Sequence, residues 1–388
     1  MVLVGVAELL GMSLWFTASS VAGELGAKWS LGTESAGWLT TSVSLGFVVG
    51  TALAAVLNLA DVIRSRFYFA VAAALASVAN GLVAVAPGFE IALALRFLTG
   101  VFLAGVYPPA MKMIATWFRS ARGLAIGTVV AALTVGKATP YLLKALPETG
   151  AETVIFGASV GGLAGALLVG LLYRDGPYPF ARSPFSWGLA GRVARHRPTR
   201  LATAGYLGHM WELYAMWTWI PAFLLASAEA LPQPPGASLV ELASFGAIAA
   251  GGLGCMWGGW AADRFGRERV VTWAMVVSGM CAMVLGRFFG GSFGLVVAVS
   301  WLWGFFVVAD SAQFSALVTE VAPADAVGTA LTLQTSIGFL LTTVTIQGVP
   351  RLADAFGWQW AFPVLALGPV AGVYAIRRLA SLRFQLSQ

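Results

Sequence analysis

Charge is what this chain of 388 residues has least of: Asp, Glu, Lys and Arg together make up 10% of it. Soluble globular domains carry about 25%, so a water-facing surface of ordinary composition is excluded. Cysteine is almost absent. Cys255 and Cys281 each fall inside a long apolar stretch, which provides neither a disulfide framework nor a metal site, and both read as packing residues. The sequence has two histidines, His196 and His209, and no HExxH pair, nucleotide-binding loop or nucleophile motif. The usual signatures of hydrolytic and nucleotide-dependent enzymes are therefore missing. Neither an enzymatic activity nor a cofactor is expected.

What is present is apolar length. Hydrophobic residues make up 59% and the mean hydropathy is +0.82, the composition of an all-α membrane protein. Runs long enough to cross a bilayer as helices occupy approximately 2–23, 36–57, 67–86, 89–115, 122–146, 153–173, 202–226, 239–262, 270–288, 292–318, 326–349 and 357–376. They predict twelve transmembrane helices. The first run is read as a membrane helix and not as a secretory leader, because it has no basic start and contains Glu8. Gly and Pro recur within the runs, which a helix bundle tolerates and the alternating pattern of a membrane barrel would not resemble.

Lys and Arg separate the two membrane faces. One side holds Arg64, Arg66, Arg119, Arg122, Arg174, Arg182, Arg192, Arg195, Arg197, Arg200, Arg264, Arg267, Arg269, Arg377, Arg378 and Arg383, while the other holds Lys28, Lys144, Arg287 and Arg351. Both termini and the loop 174–201 are therefore expected on the cytoplasmic side of a multi-pass protein in a bacterial inner membrane. Basic loops beside anionic lipid account for the net charge of +6, so no nucleic-acid partner is needed.

The chain also repeats itself. ELLGMSLWFTA at 8–18 aligns with ELYAMWTWIPA at 212–222, and RFLTGVFLAG at 96–105 with SWLWGFFVVA at 300–309, both at an offset of 204; Asp61 aligns with Asp263 at 202. A near-constant offset predicts two six-helix halves, 1–173 and 202–388, joined by the linker 174–201. Parallel halves with a substrate site between them are a secondary-transporter architecture.

With GGWAADRFGRERV at 258–270, the chain resembles the major facilitator superfamily over essentially its whole length. Gly259, Asp263, Arg264, Gly266 and Arg267 match the family's loop signature GxxxDRxGR, which the resemblance implies is a gating latch between the halves. The corresponding N-terminal loop, LNLADVIRSR, keeps Asp61 but lacks both glycines, so a lopsided latch is expected. Arg96 and Gly100 resemble the family's RxxxG motif. GKATP at 136–140 departs from the GPxxGG pattern of drug/proton antiporters, whereas WFRSARGLAIG at 117–127 is similar to the family's carboxylate and small-anion transporters. The family is usually monomeric, and a monomer is expected.

Ionisable residues inside membrane spans are costly and mark function. Here they are Glu8, Arg96, Lys112, Lys137, His209, Glu212 and Asp310, on helices 1, 4, 5, 7 and 10. Helices 1, 4, 7 and 10 line the central cavity in the family resembled, and helices 3, 6, 9 and 12, which lack such residues, face lipid there. At helical rise Arg96 and Lys137 lie at one depth, roughly 10 Å from the outer boundary, and can share an anion. His209 and Glu212, one turn apart, can share a proton with Asp310 nearby.

The expectation is alternating-access, proton-coupled transport of a small organic or inorganic anion. Arg96, Lys137, Tyr107, Tyr141, Trp15, Tyr214, Trp219, Gln313 and Gln334 are the candidate substrate contacts; Glu212, His209, Asp310 and Glu8 are the candidate proton carriers. Other roles stay open at this level. Arg96 can equally bind backbone carbonyls, Glu8 and Glu212 can be paired gate or packing residues, and Lys112 can snorkel to the interface. Efflux of amphipathic or cationic drugs is the alternative, favoured by the aromatic and acidic second half.

Overall fold

A computed structural model describes residues 1–118, 122–178 and 186–387, and the described residues are helical throughout, without a strand. Ten helices are long and apolar enough to cross a membrane. Two further spans complete twelve: a first helix split into Val2–Met12, Thr17–Ser20 and Ala22–Trp29, and helix 7, Arg197–Glu229. Between them lie helix 2 (Thr33–Val56), helix 3 (Ser65–Leu82), helix 4 (Phe89–Leu103, then Tyr107–Ala115), helix 5 (Arg122–Lys144) and helix 6 (Ala151–Leu172). A short linker helix, Trp187–Arg195, precedes helix 7. The second half continues with helix 8 (Ala237–Phe265), helix 9 (Arg267–Val284), helix 10 (Phe293–Ala309, then Ser311–Val321), helix 11 (Val327–Phe356) and helix 12 (Leu367–Ser387).

The three broken helices have different causes. In helix 4 the second piece opens on Tyr107, Pro108 and Pro109; prolines supply no N–H, so the turn above them cannot close. Helix 1 has no proline or glycine at its break. There the hydroxyls of Ser13 and Thr17 take backbone carbonyls, Leu10 O at 2.7 Å and Ser13 O at 2.8 Å, competing with the helical ladder. Helix 10 breaks at Asp310, at the position where its carboxylate meets His209 of helix 7.

Each half is held together by the same device. A Cβ on Gly46 or Gly50 of helix 2 would collide with the carbonyls of Phe97 or Val101 in helix 4, and one on Gly100 with the carbonyl of Val43. In the second half, Gly254 and Gly258 of helix 8 press on the carbonyls of Phe305 and Ala309 in helix 10, and Gly304 on that of Ala247. Where lipid supplies no hydrophobic drive between helices, such small-residue contacts let backbones approach closely.

The outer surface follows the expected pattern. Helix 3 exposes Phe67, Val71, Leu75, Val78 and Leu82 and helix 6 exposes Phe156, Val160, Leu163, Leu167 and Leu171, stripes at helical spacing. The polar interior lies opposite them, where helix 5 packs along helix 8 and helix 2 along helix 11.

The glycine contacts predict that Gly100→Leu or Gly304→Leu forces two helices apart, at a cost of about 1–3 kcal/mol or more. Gly127→Ala, which meets nothing within 4 Å, is the control. Melting of detergent-purified protein should show a marked fall for the first two variants and none for the third.

Candidate functional site

At the end of the bundle remote from the termini, helices 1, 2, 5, 7 and 8 enclose a vestibule of about 520 Å³. Its wall includes Tyr141, Lys144, Trp219 and Glu241. At its mouth the Lys144 ammonium lies 3.6 Å from Glu24 and 3.6 Å from Glu241 and donates to the carbonyl of Ser20 at 2.9 Å. This triad ties helices 1 and 5 to helix 8. Across the same level Gln347 of helix 11 donates to Thr41 of helix 2 at 2.9 Å, and Trp219 donates to Ile346 O at 2.8 Å.

Two turns of helix 5 below the mouth, Lys137 is 2% exposed. Its ammonium donates to the Tyr214 hydroxyl at 2.5 Å and sits over three rings, Trp15 at 4.1 Å, Tyr214 at 4.6 Å and Trp217 at 4.9 Å. Cation–π contacts of this kind partly replace lost hydration. Trp15 and Lys137 come from the first half, Tyr214 and Trp217 from the second. Phe47 and Phe339 extend the ring cluster, with centroids 5.2 Å from Trp15 and 5.0 Å from Tyr214 respectively. Glu8, also fully buried, lies within electrostatic reach of Lys137 and of Tyr107. Neither Glu8 oxygen has a hydrogen-bond donor among the described residues, and the same holds for acceptors of the Trp15 and Trp217 indole N–H groups and the Tyr141 hydroxyl.

Arg96 is elsewhere, and the anion it was expected to share with Lys137 has no place beside it. Its guanidinium donates to Leu14 O at 2.9 Å, to Trp15 O, to Asn80 Oδ1 at 2.7 Å and to Leu39 O at 3.5 Å, with no exposed surface. It thus satisfies carbonyls freed by the helix 1 break. The two cations meet different parts of one residue: Arg96 holds the Trp15 carbonyl, Lys137 its ring.

In the second half, His209 Nδ1 lies 2.9 Å from Asp310 Oδ1, both 2% exposed, close in distance though not a well-directed hydrogen bond. His209 Nε2 meets the Ser311 hydroxyl at 2.9 Å. Glu212 does not join them. Its oxygens accept from Trp303 Nε1 at 2.7 Å and Ser278 Oγ at 2.8 Å, on helices 9 and 10, so the expected His209–Glu212 sharing is replaced by two separate clusters. Gln334 is buried on helix 11 with both amide atoms lacking a partner among the described residues.

Gln313 is a correction. It accepts from Arg267 Nη1 at 2.6 Å on the side of the termini, far down helix 10 from the vestibule. In the candidate latch, Arg267 also donates to Glu320 at 2.7 Å, and Arg383 donates to Glu268 at 2.7 Å and to Glu320 at 3.1 Å; among the described residues these contacts lie within the second half. Asp263 and Arg264 are exposed, and Gly266 makes the expected reversal at φ +90. The side chain of Asp61 lies outside the described residues, as do Arg119 and Arg182. Among the described residues, the linker is tied to the second half by Arg192 with Asp325 and by Ser186 N to Thr329 Oγ1 at 3.0 Å.

The architecture agrees with the sequence-family comparison. A family model described as Major Facilitator Superfamily matches residues 1–253. The chain belongs to the Major Facilitator Superfamily. Within this superfamily it is 30% identical over 115 residues to the probable galactarate/D-glucarate transporter GudP of Escherichia coli strain K12, a match covering 28% of this chain and 25% of that protein. The match spans about a quarter of that relative's length. In three dimensions the chain superposes on the Escherichia coli fucose:proton symporter FucP with a TM-score of 0.66 at 16% identity, over 96% of this chain and 98% of that structure. The protein is a multi-pass membrane protein of this superfamily, with twelve helices in two pseudo-symmetric six-helix halves.

The sequence reading missed the Lys144 triad, whose members stand at span ends where charge was taken as topology. It also missed Asn80 and Trp303, polar partners that the charge inventory passed over.

If Arg96 is a clamp, Arg96→Met leaves Leu14, Trp15 and Asn80 without their donor, at about 1–3 kcal/mol for each buried bond lost. The variant should melt well below the parent with or without ligand, whereas Arg96→Lys should recover part of the loss. Parent-like melting of Arg96→Met would refute the clamp.

Proposed function

We propose that the protein moves an organic anion by alternating access together with a proton, and that Lys137 is the anion's counter-ion. The carrying observation is a buried ammonium, Lys137, held by side chains of both halves, with a buried carboxylate that has no hydrogen-bond donor, Glu8, within electrostatic reach of it. Two carboxylates cannot both own one ammonium. When Glu8 is ionised it pairs with Lys137 and excludes the substrate; when it is protonated, the ammonium is available to the substrate's negative group. Anion binding and proton binding then favour each other reciprocally, so apparent affinity for the anion rises as pH falls.

The vestibule is the entry, with Tyr141 and Trp219 on its wall, Tyr214 and Trp15 around the ammonium, and Tyr107 within electrostatic reach of Glu8. The His209–Asp310 pair is a second buried titratable site, suited to taking up or releasing a proton when helix 10 moves at its break. The halves that rock against one another are 1–173 and 202–388, with 174–201 as the link. Both termini and the Arg267 loop face the cytoplasm of a bacterial inner membrane, and the vestibule faces outward. The functional unit is the monomer. The sugar-acid relative and the proton-symporter fold neighbour lend support to this reading. Drug efflux, the alternative, is favoured by the aromatic rings, but the Lys137 ammonium among them repels a cation.

Reconstituted vesicles test the coupling. Lys137→Met should abolish both exchange and accumulation of the anion. Glu8→Gln should keep exchange between equal pools while losing accumulation driven by an inward proton gradient. Accumulation by Glu8→Gln equal to the parent would remove Glu8 from the coupling.

A further inference from the structure

The rings and donors around Lys137 allow the substrate to be described more closely. We infer that it is a monocarboxylate bearing an aromatic or similarly flat ring; this rests on the anion reading above and narrows it.

Three observations lead there. The first is the wall. Any carboxylate that reaches Lys137 must replace part of the contact its ammonium makes with Trp15, Tyr214 and Trp217, and the body of the ligand then lies against exchanged ring faces. Next to them Phe47 and Phe339 pack in a tilted pair with centroids 4.7 Å apart, so the lining beyond the ammonium remains aromatic. A flat ring meets such faces in offset or edge-to-face geometry.

The second is the balance of donors. Trp15 Nε1, Trp217 Nε1 and the Tyr141 hydroxyl have no acceptor among the described residues, and Lys137 and Tyr214 add two more donor groups. One carboxylate has about four lone-pair sites, enough to serve most of these five donor groups. A polyhydroxylated chain would instead bring several O–H donors to ring faces and indole N–H groups that accept poorly, and the unpartnered oxygens of Glu8 serve at most two of them. Each further hydroxyl buried without an acceptor weakens binding by about tenfold or more. The site thus suits a sugar acid less well than a ring acid.

The third is charge. The ammonium at the site faces one protein carboxylate, Glu8, and the triad at the mouth has two carboxylates, Glu24 and Glu241, around one ammonium, Lys144. A dianion meets a surplus of negative charge along the route and a single cation at its end. A monoanion is matched by Lys137 alone. The vestibule of about 520 Å³, which lies above Lys137 and does not include it, is wide enough to admit a one-ring acid, given that pockets for small ligands run from about 300 to 1,000 Å³.

The test is counterflow into vesicles containing the full chain. Radiolabelled benzoate is the probe, and the unlabelled competitors are phenylacetate, cyclohexanecarboxylate, phthalate, D-gluconate, D-glucarate and tetraphenylphosphonium. Benzoate is expected to exchange. Phenylacetate should compete about three- to tenfold better than cyclohexanecarboxylate, the span that an aromatic pair contributes, while phthalate and both sugar acids compete weakly. Trp15→Leu and Trp217→Leu should reduce the phenylacetate to cyclohexanecarboxylate ratio towards one. Because this ratio is taken within each variant, partial loss of folded protein does not change it. Trp15→Phe should preserve the ratio while weakening both acids through the lost N–H. Direct counterflow of labelled D-gluconate, D-glucarate and tetraphenylphosphonium completes the set. If a sugar acid exchanges, loses exchange in Lys137→Met, and benzoate does not exchange, the ring inference is overturned and the anion reading survives. If tetraphenylphosphonium alone exchanges and Lys137→Met behaves as the parent, both fall. Failure of benzoate and phenylacetate to bind or exchange at all also overturns the inference.

Discussion

A buried ammonium between two moving bodies constrains everything around it. Lys137 has left water without a full counter-ion, and a lone charge in such surroundings is expensive unless other groups compensate. The compensation comes from both halves at once, in the Tyr214 hydroxyl and in rings contributed by helices 1 and 7. The halves therefore cannot part at this level without giving the charge another partner. Water, Glu8 and an incoming carboxylate are the three available, and the choice among them links opening to binding.

The same site explains why helix 1 is discontinuous. A regular helix would direct the carbonyls of Leu14 and Trp15 along its own axis. With the ladder interrupted, Arg96 receives them, and Asn80 anchors the guanidinium by its side-chain oxygen while its nitrogen reaches Ser159 of helix 6 at 3.0 Å. Helices 1, 3, 4 and 6 thus meet in one polar knot that fixes where the Trp15 ring is presented. Helix 7, the repeat partner, runs unbroken through the equivalent Trp219, which bonds to helix 11 instead. The two halves share an ancestry of sequence pattern and differ where the chemistry is.

Much of this was legible in the chain. Apolar run length set the spans, the 204-residue offset set the repeat, and the confinement of Glu8, Lys137, His209 and Asp310 to interior helices followed from the expense of charge in hydrocarbon. Depth was also readable, because helical rise is constant. Rotation about the helix axis was not. Arg96 and Lys137 both reach Trp15, yet the face each presents depends on packing that depth does not encode. Glu212 looked like a partner for His209 because three residues separate them, but Ser278 and Trp303, over 60 residues away in sequence, take both its oxygens. The helix 1 break had no proline or glycine to announce it. The Arg267 loop matched a family motif, and a motif names the groups without naming which half they hold.

The glycine contacts have a mechanical consequence. With helix 2 seated backbone-to-backbone on helix 4, and helix 8 on helix 10, neither pair can slide without driving Cα and carbonyl atoms into each other, so shear inside a half is stiff. The compliant directions are the gaps within helices 1, 4 and 10 and those parts of the seams between halves where side chains meet, since helix 8 at Gly252 comes close to the backbone of helix 5 at Ala131. Deformation should then concentrate at a few joints, as in a linkage of rigid bars, with the ring cluster around Lys137 lying across the principal seam.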